Sequence, residues 1–129
     1  MKPSKVAILR TRPATVLADY HELMNLAGYR EVIDPKADTA LKVNISWHFF
    51  YPGSSTTPWQ LEGVVRAMKR DGYDPSLIHA CHNRTVVIDA HLGERENKHI
   101  SLTGKIHQFF RKLYPGVFSV FKHVSIFPL

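Results

Sequence analysis

The stretches 41–47, LKVNISW, and 57–61, TPWQL, together decide the fold of this chain. In the first stretch apolar and polar residues alternate, which predicts a strand over Leu41–Trp47. The second stretch predicts the start of a helix, because Thr57 can act as N-cap, Pro58 suits the first helical position and Gln60 can close a capping box. Apolar residues then recur at helical spacing until Gly72, which is typical of a helix end.

On either side of this strand and helix, the sequence predicts further strands and one further helix. Val6–Arg10 is short, apolar and β-branched at its start, which favours a first strand. Thr15–Ala27 has one apolar stripe and is followed by Gly28, which predicts a helix and its end. Ser76–Ala80 predicts a third strand. This order indicates an α/β fold, namely a two-layer or three-layer Rossmann-like β-α-β-α-β unit with a short, mainly parallel sheet.

The remainder of the chain has weaker patterns. Thr85–Ala90 predicts a fourth strand. Only about four residues separate it from the third strand, too few for a crossover helix, so that it is either antiparallel to the third strand or outside the sheet. The polar segment Glu94–His99 predicts a loop. Lys105–Tyr114 has an amphipathic helical pattern, and Val117–Phe127 has the composition of a strand. We expect the last two segments to pack on the uncovered face of the sheet, or else to stay exposed as an apolar surface.

Positive charge is concentrated in the C-terminal part of the chain. The net charge is +6, from 17 Lys and Arg against 11 Asp and Glu. Residues 101–129 have no acid and contain four cations: Lys105, Arg111, Lys112 and Lys122. We therefore expect an α/β domain over 1–100 and a basic aromatic end over 101–129 that is truncated or divergent. Because the charges are few and spread out, a solvated surface is favoured over a nucleic-acid site; an interaction module for an acidic partner is the alternative.

Membrane and secretory signals do not occur in this sequence. No apolar run approaches the roughly 20 residues of a membrane span, and the apolar segment after Lys5 is too short for the core of a signal peptide. Cys81 is the single cysteine, so this chain alone can build neither an internal disulfide nor an iron–sulfur cluster. These features predict a cytoplasmic protein without a membrane span.

Polar residues at the carboxyl ends of the predicted strands indicate an anion site. Lys42 and Asn44 share one face of the second strand, and the N-terminus of the following helix favours a negative charge. With the hydroxyls of Thr56 and Thr57, these residues could bind the phosphate or carboxylate of a small anionic ligand. Ordinary helix capping by Thr57 with a solvated Lys42 is the alternative. The first strand lacks the glycine loop of a dinucleotide site, which argues against a nicotinamide dehydrogenase.

A second candidate is a metal site formed by His79, Cys81 and His82, with His48 nearby. Zinc and iron both bind imidazole and thiolate ligands. The alternative to an anion-binding domain is therefore a metal-dependent enzyme that uses these residues. A nucleophilic Cys81 with His79 or His82 as base is a third interpretation. The spacing matches no specific zinc pattern, and partly exposed histidines beside a small buried thiol explain the same residues.

Five segments resemble, in order and spacing, the family called domain of unknown function 362: Lys5–Arg10, Leu41–Asn44, Thr56–Pro58, Met68–Tyr73 and Asn83–Val87. That family has a Lys-x-Asn stretch at the end of a strand and a Thr-Thr or Thr-Asp helix start. The resemblance implies an α/β domain in a redox system, with a ferredoxin-like iron–sulfur module as partner. Because the chain lacks the cysteines for a cluster, no residue here inherits that role, and from Ser101 onward the family pattern is not matched.

Overall fold

The computed structural model describes residues 4–82, 89–99 and 123–125. These residues include two short 3-10 helices, Tyr29–Glu31 and Pro75–Leu77. In chain order the main elements are α1 (Val16–Ala27), β1 (Thr39–Lys42), α2 (Pro58–Arg70), β2 (Ile78–His82), α3 (Ala90–Glu96) and β3 (His123–Ser125).

The described strands form one sheet in the order β1-β2-β3. β1 pairs with β2 in parallel, with Lys42 opposite Cys81, and α2 connects the two strands. β3 pairs with β2 in antiparallel orientation, with Val124 opposite Cys81. The described residues are therefore compatible with a small α/β fold in which two strands of the sheet, β1 and β2, are parallel. The third strand, β3, lies within the predicted strand segment Val117–Phe127.

The predicted first strand, Val6–Arg10, is not part of the sheet. Val6 and Ile8 are 85% and 89% exposed. β-Branched composition favours an extended backbone, but only a partner with a matching register makes a strand of a sheet. The segment instead lies along α1, where Leu9 lines a groove with Val16 and Tyr20.

The two long helices begin and end as the sequence predicts. The capping box of α2 is present, and its Gln60 Oε1 accepts a hydrogen bond of 2.8 Å from the Thr57 backbone N–H. Gly28 after α1 and Gly72 after α2 both have a positive φ, at 77° and 85°. Glycine adopts this left-handed conformation without steric cost, so the local sequence is sufficient to end both helices.

The core lies between the sheet and the helices. Its main cluster contains buried residues of α2, of β2, of the first 3-10 helix and of the connections between elements: Tyr29, Val43, Ile45, Leu61, Val65, Met68, Tyr73, Ile78 and Ala80. The rings of Tyr29 and Tyr73 are stacked with their centroids 5.5 Å apart. In α2 the buried residues Leu61, Val65 and Met68 belong to the apolar stripe that the sequence spacing predicts, while Gly63 and Ala67 are also buried.

Two predicted boundaries differ from the structure. The strand predicted over Leu41–Trp47 is β1, Thr39–Lys42, because after Val43 the backbone leaves β2 and bonds to Thr56 instead. The predicted loop Glu94–His99 begins within α3, whose N-cap Asp89 accepts a hydrogen bond of 2.9 Å from the Leu92 N–H. A capped start allows a polar segment to be helical even without a clear apolar stripe.

Some predictions fall on residues outside those described. Residues 85–88 of the predicted fourth strand and the predicted helix Lys105–Tyr114 belong to this group, as do all but three residues of Val117–Phe127.

Among the helices that the structure describes, none combines the length and the apolar character needed to cross a membrane.

Candidate functional site

The structure brings together three of the four residues predicted to bind an anion. The Asn44 N–H donates to Thr56 Oγ1 at 3.0 Å, and the Thr56 N–H donates back to the Asn44 carbonyl at 2.7 Å. The buried Thr57 hydroxyl donates to Gln60 Oε1 at 3.0 Å. These groups hold the end of β1 against the start of α2, as the capping interpretation expects.

Lys42, the last residue of β1, is exposed. Its ammonium donates to the carbonyl of the adjacent Val43 at 2.9 Å. An ammonium has three donors, so this single local bond leaves Lys42 able to bind a ligand.

The loop that joins β1 to α2, residues 43–57, is tied together by its own polar groups. The Asn44 side chain donates to Ser46 Oγ at 2.9 Å and to the Ser54 carbonyl at 3.1 Å. The Ser46 N–H donates to Ser55 Oγ at 3.2 Å. The polar side chains of this β1–α2 loop are therefore largely used within the loop.

The residues after α3 tie the same loop to the rest of the fold. The fully buried Asn97 donates from its side chain to the Trp47 carbonyl at 2.8 Å. His99, also buried, lies with Nε2 at 2.9 Å from the Thr56 carbonyl. Because a carbonyl only accepts, this nitrogen carries a proton. Two contacts from a separate element thus fix the conformation of the β1–α2 loop.

Five large aromatic side chains point outward from this region and are each between 44% and 54% exposed: Trp47, Phe49, Phe50, Tyr51 and Trp59. We call them the aromatic patch. The rings of Trp47 and Phe49 are stacked at 5.6 Å, and His48 meets Phe49 edge to face at 5.5 Å. Apolar surface of this kind on a folded domain commonly marks a binding site.

The aromatic patch was not among the sites predicted from the sequence. Its signal is the run 47–51, WHFFY, within a connection that is otherwise rich in Pro, Gly and Ser. A surface connection rarely buries five consecutive large side chains. The whole stretch 43–61 also contains no Asp, Glu, Lys or Arg.

The residues of the predicted metal site are placed only in part. His79 and Cys81 are two residues apart on β2 and so belong to the same face of the strand. His79 Nε2 lies 3.0 Å from Asp38 Oδ1. The structure does not describe the side chain of His82. Among the residues that it does describe, no three His, Cys, Asp or Glu side chains are grouped so that they could bind a metal ion. The metal site stays a prediction.

Cys81 is only 3% exposed. Burial raises the pKa of its thiol, against a smaller opposing effect of the Lys42 charge. A raised pKa disfavours the thiolate, which is the form that attacks a substrate or binds a metal. This environment suits a structural thiol better than a nucleophile.

A second polar cluster lies between α1 and the end of α2, around the carboxylate of Asp71. Oδ1 lies 2.7 Å from His21 Nε2, while Oδ2 accepts from the Tyr29 hydroxyl at 2.7 Å and from the Asn25 side chain at 3.1 Å. Burial acts to raise the pKa of Asp71, but these three donors outweigh it and hold the pKa well below its usual value. The cluster joins the two helices and was not predicted from the sequence.

No protein-family model matches the chain, and no curated protein or solved structure is significantly similar to it. The resemblance to the domain of unknown function 362 family therefore stays a prediction, together with the redox partner that it implies. The geometry of the β1–α2 loop is the basis for a functional proposal.

Proposed function

We propose that this chain is a binding domain that takes up a small anionic ligand with a planar apolar part on the aromatic patch. The observation that carries the proposal is that the β1–α2 loop uses its polar groups internally and leaves its aromatic rings exposed. Asn44 and Ser46 bond to other residues of the loop, while the four aromatic rings of the loop and that of Trp59 at the start of α2 are exposed.

The aromatic patch suits a planar partner because it presents flat surfaces in a fixed arrangement. An aromatic pair contributes about 0.5–1.5 kcal/mol beyond the area that it buries. The hydrogen bonds from Asn97 and within the loop order these rings before a ligand arrives. Such pre-organisation lowers the entropy cost of binding.

The position of the patch also fits a ligand site. It follows the carboxyl end of β1, and ligands of α/β sheets bind beyond the carboxyl ends of the strands. Lys42 stands at that end, and no carboxylate occurs in residues 43–61 to repel an anion. In this proposal Lys42 binds the anionic group, whereas Asn44, Thr56 and Thr57 support the loop.

Titration with 8-anilinonaphthalene-1-sulfonate, a planar aromatic anion, tests this proposal through the fluorescence of the probe. We expect Phe49→Ala to weaken binding roughly 3–10-fold, because it removes one ring of the stacked pair. Lys42→Ala should weaken binding about two- to five-fold, as expected for one exposed ion pair. The neutral N-phenyl-1-naphthylamine should lose affinity with Phe49→Ala and keep it with Lys42→Ala.

Two control variants separate this site from general stickiness. Ile8→Ala removes an apolar side chain that is 89% exposed elsewhere, and Lys36→Ala removes a cation from the turn before β1. Both should leave the affinity unchanged, and all variants should unfold in one cooperative transition. Equal binding by Phe49→Ala and the unaltered chain would refute the proposal, as would an equal loss in Ile8→Ala.

A further inference from the structure

The segment Lys5–Arg10 has the pattern of a strand but pairs with no strand that the structure describes. Burial alternates along it, since Val6, Ile8 and Arg10 are exposed while Ala7 and Leu9 are half-buried. This two-residue period is that of an extended chain. Within the described structure none of its backbone N–H or C=O groups makes a hydrogen bond.

Contacts at both ends hold this segment in place. Lys5 Nζ lies 2.9 Å from Glu31 Oε1 at one end. At the other end the Thr11 hydroxyl bonds to the Asp19 carboxylate of α1. Between them the half-buried Leu9 lines a groove together with Val16 of α1. The segment is therefore fixed along α1 while its backbone stays accessible.

An accessible strand with free backbone groups is a template for another strand. Folded proteins commonly protect such edges, because the unpaired N–H and C=O groups direct the pairing of a second chain. In β-strand addition an extended peptide pairs with the unpaired backbone groups of such an edge. The backbone hydrogen bonds then give affinity, and the alternate side chains of the peptide give specificity. Val6 and Ile8 would supply the apolar contacts, on the face that α1 does not cover.

Charge indicates which strand would pair here. Residues 1–12 contain four cations and no acid: Lys2, Lys5, Arg10 and Arg12. In a symmetric antiparallel pair of two copies, Lys5 would lie opposite Arg10, and like charges directly opposite each other are destabilising. An acidic strand would instead meet opposite charge at Arg10, and at the other end at Lys5, which it would share with Glu31.

We propose that Lys5–Arg10 docks an extended segment of a partner protein by β-strand addition, and that this segment has alternating apolar residues between acidic ends. The site is separate from the aromatic patch and does not depend on the proposed ligand. It uses the backbone of Lys5–Arg10, the apolar side chains of Val6 and Ile8, and the charge of Arg10.

Amide hydrogen exchange of the full chain with the peptide acetyl-EVTVTE-amide as probe tests this proposal. A strand that pairs along one edge protects every second amide. We therefore expect slower exchange, by about five-fold or more at millimolar peptide, in one alternate set: either Val6, Ile8 and Arg10, or Ala7 and Leu9. Arg10→Glu should weaken this binding about three-fold and favour the sign-reversed peptide acetyl-KVTVTK-amide.

Controls distinguish strand pairing from other binding. A peptide methylated on every backbone nitrogen should give no protection, because it lacks the N–H donors for pairing, and Arg30→Glu should behave like the unaltered chain. Unprotected amides at millimolar peptide, or equal protection by the methylated peptide, would overturn the proposal. Protection that grows with the concentration of the chain alone would also overturn it, because it would identify a second copy as the occupant.

Discussion

Replacing Asp71 with alanine is expected to lower the free energy of unfolding by about 3 kcal/mol. The Asp71 side chain is 8% exposed and accepts from His21, Asn25 and Tyr29. Removing the carboxylate leaves these three donors without their acceptor between two packed helices. An unsatisfied buried donor costs about 1–3 kcal/mol. Urea denaturation measures the loss, provided that the slope m is unchanged.

Glu22→Ala is the matched control for this variant. Glu22 is an exposed acid on α1, and its side chain makes no hydrogen bond in the described structure. Substitution at such a surface position usually changes stability by less than about 0.5 kcal/mol. If Asp71→Ala and Glu22→Ala have equal stability, the Asp71 cluster does not join the helices as described.

The same cluster should give the chain an acid-sensitive part of its stability. The pKa of Asp71 in the folded chain lies below the ordinary value of 3.8. Its stabilising effect is therefore full above that pH and is lost as the pH falls through the folded-state pKa. The stability difference between the unaltered chain and Asp71→Ala should shrink between about pH 4 and pH 2. A constant difference over this range would contradict the assignment.

How far the sequence predicts each feature depends on how local its cause is. The start of α2 was predicted correctly because Thr57, Pro58 and Gln60 act on each other within one turn. The ends of α1 and α2 were predicted because Gly28 and Gly72 act on their own backbone. The first strand was wrong because strand pairing depends on a distant partner that β-branched composition does not identify.

The candidate sites could be predicted only in part, because they depend on residues that are distant in the sequence. His21, Asn25 and Tyr29 recur every four residues, which places them on one stripe of α1 and its extension. Nothing in that spacing identifies Asp71 as the acceptor, because it lies between 42 and 50 residues away in the sequence. The aromatic patch is similar: the composition shows that the rings are present, but the loop that carries most of them is held by distant residues such as Asn97, which bonds to the Trp47 carbonyl.

Gly63→Ala is expected to destabilise the chain by about 1–2 kcal/mol, although alanine is the better helix former. Gly63 is buried in α2, and an added Cβ would overlap Tyr20 Cδ2 and lie 2.7 Å from Tyr20 Cγ. Cγ is the ring atom nearest the backbone, so relieving the overlap requires α1 itself to shift. Overpacking of this kind costs about 1–3 kcal/mol, more than the roughly 1 kcal/mol that alanine gains in an exposed helix.

The sign of this effect tests the close packing of α1 against α2. Gly53→Ala in the β1–α2 loop is the control, because no atom lies within 4 Å of a Cβ added there. Tyr20→Ala should cost stability by itself but remove the penalty of Gly63→Ala, so that the two changes are coupled in a double-mutant cycle. Urea denaturation of the four chains measures that coupling. A gain in stability from Gly63→Ala, or additive effects of the two changes, would show that Tyr20 does not pack against Gly63.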